Sequence, residues 1–339
     1  MRHFSAPSLI WALAILLPVA ALVSITVGTV DISLLDGLAA LTGSSINSQT
    51  HTILIDIRLP RILLAIAVGA VLASTGAVMQ GLFRNPLADP SLIGVSSGAS
   101  VGASLMIVTA GGFIKSGALL GLSLVAVGAF VGGFAATLLV YRLATSGIGT
   151  SVTTMLLAGI AIGALAGALN SLLSYFSDND MLRQISLWQM GNLSGASWTK
   201  VIVMGAVALL LMGLFPRESK ALNALLLGES EARHLGIDVQ RVKRRLIVLT
   251  ALGVGVSVAL AGLVGFVGLI MPHIVRLAIG PDHRWLVPAS ALAGATLLVI
   301  ADSLARIVVI PAELPTGILT ALLGAPFFVA LLLQQRRDV

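Results

Sequence analysis

Apolar residues occur along this chain in long stretches that are separated by short polar segments. Most stretches have about 20 residues, the length that an α-helix needs to cross a hydrocarbon core of about 30 Å. Ten of them predict ten membrane-spanning helices. Their approximate bounds are 8–28, 60–81, 91–110, 118–140, 151–174, 198–215, 246–265, 267–280, 285–303 and 315–333. We therefore expect an all-α polytopic membrane protein that forms a single transmembrane domain over residues 1–339.

The composition agrees with a membrane protein and excludes a soluble one. Hydrophobic residues make up 57% of the 339 residues and charged residues only 10%, whereas a soluble chain carries about 25% charge. So little charge cannot cover a surface that faces water. The apolar segment near the N-terminus is too long for the core of a signal peptide and lacks a clear cleavage site, so we expect it to be the first span.

The net charge of +6 does not indicate nucleic-acid binding, because no basic and aromatic pattern accompanies it. Lys and Arg in a membrane protein instead report orientation, since they accumulate on the cytoplasmic side. With both termini in the cytoplasm, the basic residues on that side are Arg2, Arg84, Arg142, Arg217, Lys220, Arg233, Arg241, Lys243, Arg244, Arg245, Arg276, Arg284, Arg336 and Arg337. Those left outside, each needing a local reason, are Arg58, Arg61, Lys115, Arg183, Lys200 and Arg306.

Two segments of the chain resemble each other. The stretch GAVMQGLFRNPLADPSLIG (76–94) aligns without a gap with GLVGFVGLIMPHIVRLAIG (262–280), and Pro86 coincides with Pro272. This predicts two five-helix repeats, about 1–175 and 198–339, with an outer segment 176–197 between them. Because five is an odd number, the second repeat must be inverted, an arrangement typical of transporters.

The prolines and glycines of these segments predict interrupted helices. Free backbone groups at membrane depth are tolerated only where they are buried in protein or line a wet cavity, so we expect RNPLADP and MPH near the transport path or its gate. A simple re-entrant packing corner is the alternative. The 36 glycines, many with small-xxx-small spacing as in GLSLVAVGAFVGG (121–133), predict close helix packing.

The sequence lacks the motifs of a catalytic site and of an ATP-hydrolysing P-loop. The sequence has no Gly-Lys-Ser/Thr of a P-loop, no HExxH and no GxSxG, and without cysteine it has no thiolate site. Few acidic residues are expected at membrane depth, and Asp302, near the outer end of the ninth span, comes closest. Proton- or sodium-driven carriers usually need ionisable groups at that depth, so this scarcity disfavours a secondary carrier. We therefore expect no catalytic site, cofactor or metal in this chain; a secondary carrier and a channel stay as alternatives.

The densest run of charge is GESEARHLGIDVQRVKRR (228–245), in which eight of eighteen residues are charged. It ends the longest cytoplasmic loop, 216–245. The segment ESKALNALLLGE predicts one short helix, and ESEARHLG predicts another that ends with Gly236 at the position after the cap. Such a charged helical hairpin, with leucines at 225–227, is suited to dock on a soluble subunit such as a separate ATPase. An ordinary solvated loop is the alternative.

The residues RLPRILLAIAVGAVLASTGAVMQGLFRNPLADPSLIGVSSGAS (58–100) resemble the signature of the FecCD-type permeases. GESEARHLGIDV, GLVGFVGLIMPHIVRLAIGPDHRWLVP (262–288) and ELPTGILTALLGAPFFVALLL (313–333) are similar to that family as well. These proteins are the membrane subunits of type II ABC importers for iron-siderophores, haem and vitamin B12.

The resemblance implies a homodimer in the bacterial inner membrane, built like the vitamin B12 importer. Its partners would be two cytoplasmic ABC ATPases, which bind ATP and Mg, and a periplasmic binding protein. By the same resemblance, the residues that contact the ATPase are Glu229, Glu231, Ala232, Arg233, Leu235 and Gly236. Those that dock the binding protein through its carboxylates are Arg58, Arg61 and Arg306, which would explain three of the outer arginines.

The outer segment 174–198 is the best indication of the substrate. Its LRQISLWQMG resembles haem permeases more than siderophore permeases. Arg183 can pair with a propionate, and Met181, Trp188 and Met190 can contact a flat apolar ring; interfacial anchoring and core packing are the alternatives. We expect haem, with ferric siderophores and cobalamin as alternatives. The other residues expected along the path are Met79, Gln80, Asn85, Pro86, Pro272 and His273.

Overall fold

The computed structural model describes residues 5–28, 30, 32–33, 47–110, 119–147 and 149–335. Four basic residues of the predicted orientation pattern lie outside the described residues, namely Arg2, Lys115, Arg336 and Arg337. The helices are α1 (Ala6–Thr26), α2 (Ser48–His51), α3 (Leu59–Leu82), α4 (Val95–Thr109), α5 (Leu119–Ala144), α6 (Val152–Tyr175), α7 (Asn179–Gln189), α8 (Trp198–Leu214), α9 (Ser219–Leu227), α10 (Glu229–His234), α11 (Val239–Ala261), α12 (Val267–Ile279), α13 (His283–Ala305) and α14 (Thr316–Gln335).

Shorter elements join these helices. A π-helical segment, Thr52–Arg58, connects α2 to α3, and 3₁₀ turns cover Pro90–Ile93 and Phe215–Glu218. Between α5 and α6 the strands β1 (Thr145–Ser146) and β2 (Gly149–Thr150) form a small antiparallel hairpin. The π-helical segment and the hairpin were not predicted from the sequence.

Each of the ten predicted spans corresponds to a helix in the described part of the chain. Within the described ranges, seven helices are long and apolar enough to cross a membrane, and α4, α12 and Thr316–Ala330 of α14 are shorter apolar helices. The prediction of an all-α, multi-pass membrane protein is confirmed. One span begins earlier than predicted, because Asp238 caps α11 by accepting a hydrogen bond from the Arg241 amide at 3.0 Å. The basic run VQRVKRR is therefore the first two turns of α11.

The chain divides into two compact units that are interleaved in sequence. One unit contains Met1–Ala77, Asn192–Pro216 and Val264–Val339, and the other contains Val78–Gly191 and Arg217–Leu263. The first unit thus combines α1, most of α3, α8 and α12 to α14. The second combines α4 to α7 with α9 to α11. The predicted boundaries of the two repeats stay a prediction.

In the first unit, glycines let the backbones of α3, α12 and α13 approach closely. A Cβ atom on Gly69 would lie 2.4 Å from the Gly294 carbonyl oxygen, and one on Gly76 would lie 1.8 Å from that of Gly268. Pro272 lies inside α12 and has no N–H to offer the carbonyl four residues earlier, which is that of Gly268. Although that hydrogen bond is missing, α12 continues through Pro272. The expectation of an interrupted helix at MPH is wrong.

In the second unit, α4 and α5 pack through facing glycine pairs. A Cβ atom on Gly102 would lie 2.0 Å from the Gly128 carbonyl oxygen, and one on Gly98 would lie 2.3 Å from that of Gly132. Within each helix the two glycines are four residues apart, the small-xxx-small spacing that permits such contact in lipid. The predicted close packing is confirmed here. Asn170 of α6 adds polar contacts to α4, since its amide donates to Ser100 Oγ at 3.0 Å.

Candidate functional site

The loop between α8 and α11 folds into the two short helices that the sequence predicts. Gly228 separates α9 from α10. At the end of α10, the Gly236 amide donates to the Arg233 carbonyl at 2.9 Å and the Ile237 amide donates to the Ala232 carbonyl at 3.0 Å. With Gly236 in the left-handed conformation at φ 83°, this is a Schellman motif. The predicted stop of the helix at Gly236 is confirmed.

The outer face of this helical hairpin carries both charge and apolar surface. Leu227 is 70% exposed and Leu235 is 65% exposed, and Glu231 and Arg233 are exposed as well. Ala232 is instead fully buried, so its side chain packs within the chain, as does that of Leu225. Of the six predicted ATPase-contact residues, the structure therefore brings five to the surface, Glu229 only partly.

Lys243 connects α10 to the β1–β2 hairpin. Its ammonium group lies 2.6 Å from Glu229 Oε1 and donates to the Thr150 carbonyl at 2.9 Å. Gln240, one turn earlier on α11, accepts a hydrogen bond from the Thr150 amide at 3.0 Å. Both backbone groups of Thr150 are thus held by α11. A displacement of α10 would act directly on the connection between α5 and α6.

Charged contacts continue around this loop. Glu218 is buried and forms an ion pair with Arg245, which fixes the start of α9 to α11. Arg233 lies 3.7 Å from Glu229 within α10. The Glu229 carboxylate therefore pairs with two cations, Arg233, which is exposed, and Lys243, which is buried.

The first unit contains a buried ionic cluster that joins α3, α13 and α14. Asp302 is fully buried, and its carboxylate accepts hydrogen bonds from Arg61 Nε at 2.9 Å and from Arg306 at 2.6 Å. Thr316 donates to the same carboxylate at 3.0 Å, and Arg61 also pairs with Glu313 at 2.6 Å. A carboxylate at this depth is acceptable because two guanidinium groups and a hydroxyl satisfy it.

The three arginines predicted to dock a binding protein are all buried. Arg58 donates to the carbonyls of Ile25 and Val30, Arg306 donates to Ser24 Oγ at 3.2 Å, and Arg61 belongs to the ionic cluster. The chain thus supplies partners for them, which sequence reasoning missed although it noted Asp302. Their unusual position does not by itself require a second protein, and the docking role stays a prediction.

The segment predicted to meet the substrate contains the amphipathic helix α7. Asp178 caps it by accepting from the Met181 amide at 2.8 Å, and Ile185 is its buried anchor. Arg183 and Met190 are exposed, whereas Met181 and Trp188 are half-buried. The four predicted residues therefore lie on one short helix and its end, two of them open to a ligand.

The other residues predicted along the path are mostly buried. Met79 and Gln80 are fully buried and His273 nearly so, with its ring 6.3 Å from that of Phe327. Pro272 is buried within α12. Asn85 and Pro86 lie in the turn after α3, where Asn85 is exposed and its side chain accepts from the Leu87 amide at 2.9 Å. Their role in a path stays a prediction.

Comparison with known proteins identifies the family. Residues 16–334 match the FecCD transport family. The chain belongs to this family. The resemblance seen in residues 58–100 is therefore confirmed over nearly the whole chain.

Relatives within the family cover this chain almost completely. It is 46% identical over 328 residues to a hemin transport system permease protein of Yersinia pestis, covering 96% of this chain and 95% of that protein. It is 40% identical to a cobalamin import system permease protein of Halobacterium salinarum, covering 98% of each. A solved structure described as an inward-facing conformation of a metal-chelate type ABC transporter superposes with a TM-score of 0.84 at 35% identity, covering 97% of this chain and 99% of that one.

Among the described residues, no cluster of three or more His, Asp or Glu side chains could hold a metal ion. Several of the acidic groups form ion pairs with basic groups, such as Glu229 with Lys243 and Asp302 with Arg61. The geometry offers an exposed α9–α10 hairpin with charged and apolar side chains, a hydrogen-bonded connection from it to the β1–β2 hairpin between α5 and α6, and an amphipathic helix with exposed Arg183.

Proposed function

We propose that this chain is the membrane-spanning permease of an ATP-driven importer that moves haem into the cytoplasm. The observation that carries the proposal is the 46% identity to the hemin permease of Yersinia pestis over 96% of this chain. The likeness to a metal-chelate type ABC transporter supports the same assignment. The chain acts as a transport subunit, and separate subunits supply ATP hydrolysis.

The proposed assembly is a homodimer in the bacterial inner membrane with both termini in the cytoplasm. Two cytoplasmic ATPases, which carry ATP and Mg, dock on the α9–α10 hairpins, and a periplasmic binding protein docks on the opposite side. The exposed Leu227 and Leu235 support the first contact, because apolar side chains beside charge are typical of a protein interface. Arg58, Arg61 and Arg306 are the proposed contribution to the second.

The proposed mechanism is alternating access. A loaded binding protein docks outside and releases haem toward α7, where Arg183 pairs with a propionate and Met190 and Trp188 contact the ring. ATP binding then moves α10. Lys243 carries this motion to the β1–β2 hairpin, and the two repeats tilt to open the path inward. Non-specific apolar walls let a bulky ligand leave again.

Cobalamin is the second candidate substrate. The permeases for cobalamin or vitamin B12 reach 40% identity over 98% of the chain in Halobacterium salinarum and 46% over 83% in Escherichia coli. Because these values are close to those of the hemin permease, identity alone does not separate the two ligands. Ferric siderophores, which the wider family carries, are the third candidate.

The deciding experiment reconstitutes the permease with its ATPase and binding protein in liposomes. Uptake of haem, cobalamin and a panel of ferric siderophores is measured with and without ATP. We expect ATP-dependent haem uptake that Arg183→Ala abolishes and Arg183→Lys largely retains, since lysine keeps the charge. Uptake of cobalamin or a siderophore instead would reject haem. Uptake that follows a proton gradient without the ATPase would reject an ABC importer and favour a secondary carrier.

A further inference from the structure

Two neighbouring depressions lie on the second unit, beside α5, the β1–β2 hairpin and the first turns of α11. The first is a polar cavity of about 410 Å³ that includes Arg241 and Arg244. The second is an apolar cleft of about 50 Å³ between α5 and α11. Tyr141 lines both. The two depressions therefore adjoin at Tyr141, and together they are called the groove, with a polar end and an apolar end.

The polar end of the groove carries an unused positive charge. Arg244 is exposed and makes no hydrogen bond or ion pair with any described residue. Arg241 lies 3.3 Å from Asp238, in a pair whose members are both largely exposed. Asp238 also caps α11. The lining thus contains one carboxylate and two guanidinium groups, which leaves an excess positive charge near the N-terminus of a long helix, where an anion is favoured.

The apolar end of the groove lies on two membrane-spanning helices. Phe134 and Leu138 of α5 and Val248 of α11 form its exposed rim, while Ile247 and Ala251 are largely buried beneath them. The cleft, at about 50 Å³, is too small to enclose a compact small molecule, but its rim offers contact to a few methylene groups of an extended chain. Tyr141, with an apolar ring and a polar hydroxyl, marks the change from one environment to the other.

We propose that this groove binds an anionic phospholipid. Its phosphate contacts Arg241 and Arg244, and the first part of an acyl chain lies along the cleft between α5 and α11. A free phosphate would leave the apolar cleft without use, and a neutral lipid would leave Arg244 without a partner. Arg or Lys side chains beside the headgroup region attract anionic lipids in this way. The site does not depend on the substrate that the permease transports.

The test uses the purified full-length permease in detergent, titrated with phosphatidylglycerol or phosphatidylcholine and followed by native mass spectrometry. Two charges are removed from the groove by Arg241→Gln with Arg244→Gln. The matched control, Arg217→Gln with Lys220→Gln, removes two exposed charges at the start of α9, outside the groove. We expect the groove variant to bind phosphatidylglycerol about 30-fold more weakly, the control to bind like the wild type, and phosphatidylcholine to bind weakly throughout.

A second variant and a second ligand test the apolar end. Leu138→Ser with Val248→Ser should weaken phosphatidylglycerol binding while leaving both arginines in place. Glycerol phosphate, which has the headgroup chemistry without acyl chains, should bind far more weakly than the lipid. Equal lipid binding by wild type and groove variant would overturn the proposal, as would glycerol phosphate binding as tightly as the lipid. So would loss of ATPase association in the groove variant with lipid binding intact, since the groove would then be a contact for the ATPase.

Discussion

The ammonium group of Lys243 lies 2.6 Å from the Glu229 carboxylate, and the same group donates to the Thr150 carbonyl at 2.9 Å. Glu229 begins the helix proposed to contact the ATPase, and Thr150 ends the hairpin that leads into α6. One buried side chain therefore joins the proposed docking helix to a membrane-spanning helix. This contact gives the proposed transport cycle a physical route from α10 to the membrane.

Replacing Lys243 by Met should uncouple ATP hydrolysis from transport. Methionine fills similar space but cannot hold Glu229 or Thr150, so α10 would move without displacing the hairpin. Glu229 is about one-third exposed, so we expect a modest loss of stability, about 1–2 kcal/mol. Uptake and ATPase activity are measured together in liposomes, with Lys220→Met, at an exposed lysine of α9, as the control. Normal uptake by Lys243→Met would exclude this route.

Asp302→Asn should destabilise the first unit strongly. The amide cannot neutralise Arg61 and Arg306, and two buried guanidinium groups would lose their shared partner, a change that costs about 3–5 kcal/mol. Glu313→Gln is the matched control, because Glu313 contacts the same Arg61 but is about one-third exposed, so its loss should cost about 1 kcal/mol or less. Thermal unfolding in detergent compares the two. Similar midpoints for both variants would show that the cluster contributes little to stability.

The partners of Asp302 in this cluster could not be predicted from the sequence, whereas the helices could. Hydropathy located a helix for each of the ten predicted spans because the length of an apolar run is a local property that the bilayer sets directly. The pairing of Arg61 with Asp302 joins residues 241 positions apart, and no local pattern reports such a contact. Helix α7 escaped prediction for a different reason: it is short and polar, and Ile185 is its one buried residue.

Substitution of Gly102 by Ala should separate α4 from α5. The new Cβ atom would lie 2.0 Å from the Gly128 carbonyl oxygen, which is backbone and cannot rotate away, so overpacking should cost about 1–3 kcal/mol. Gly167→Ala is the matched control, because Gly167 is also inside a helix but a Cβ atom added there would meet no described atom within 4 Å outside its own helix backbone. It should keep or raise stability by about 0.5–1 kcal/mol, since Ala favours helix. Opposite signs in thermal unfolding are the expected result; a loss at both positions would reject the packing argument.

The two exposed leucines at the ends of α9 and α10 should carry the contact with the ATPase. Leu227 and Leu235 are exposed, so Leu227→Ser with Leu235→Ser removes apolar surface without opening a cavity, and the unfolding temperature should stay unchanged. Burial of one such side chain at an interface contributes about 1.5–3 kcal/mol, so the pair should weaken association more than 100-fold. Co-purification with the ATPase measures this, and Leu187→Ser, at an exposed leucine of α7, is the control.

Because Ala232 is buried within the chain, Ala232→Ser should leave association close to that of the wild type. Full co-purification of the double-leucine variant would mean that the ATPase contacts charged residues such as Glu231 and Arg233 instead, or another surface altogether.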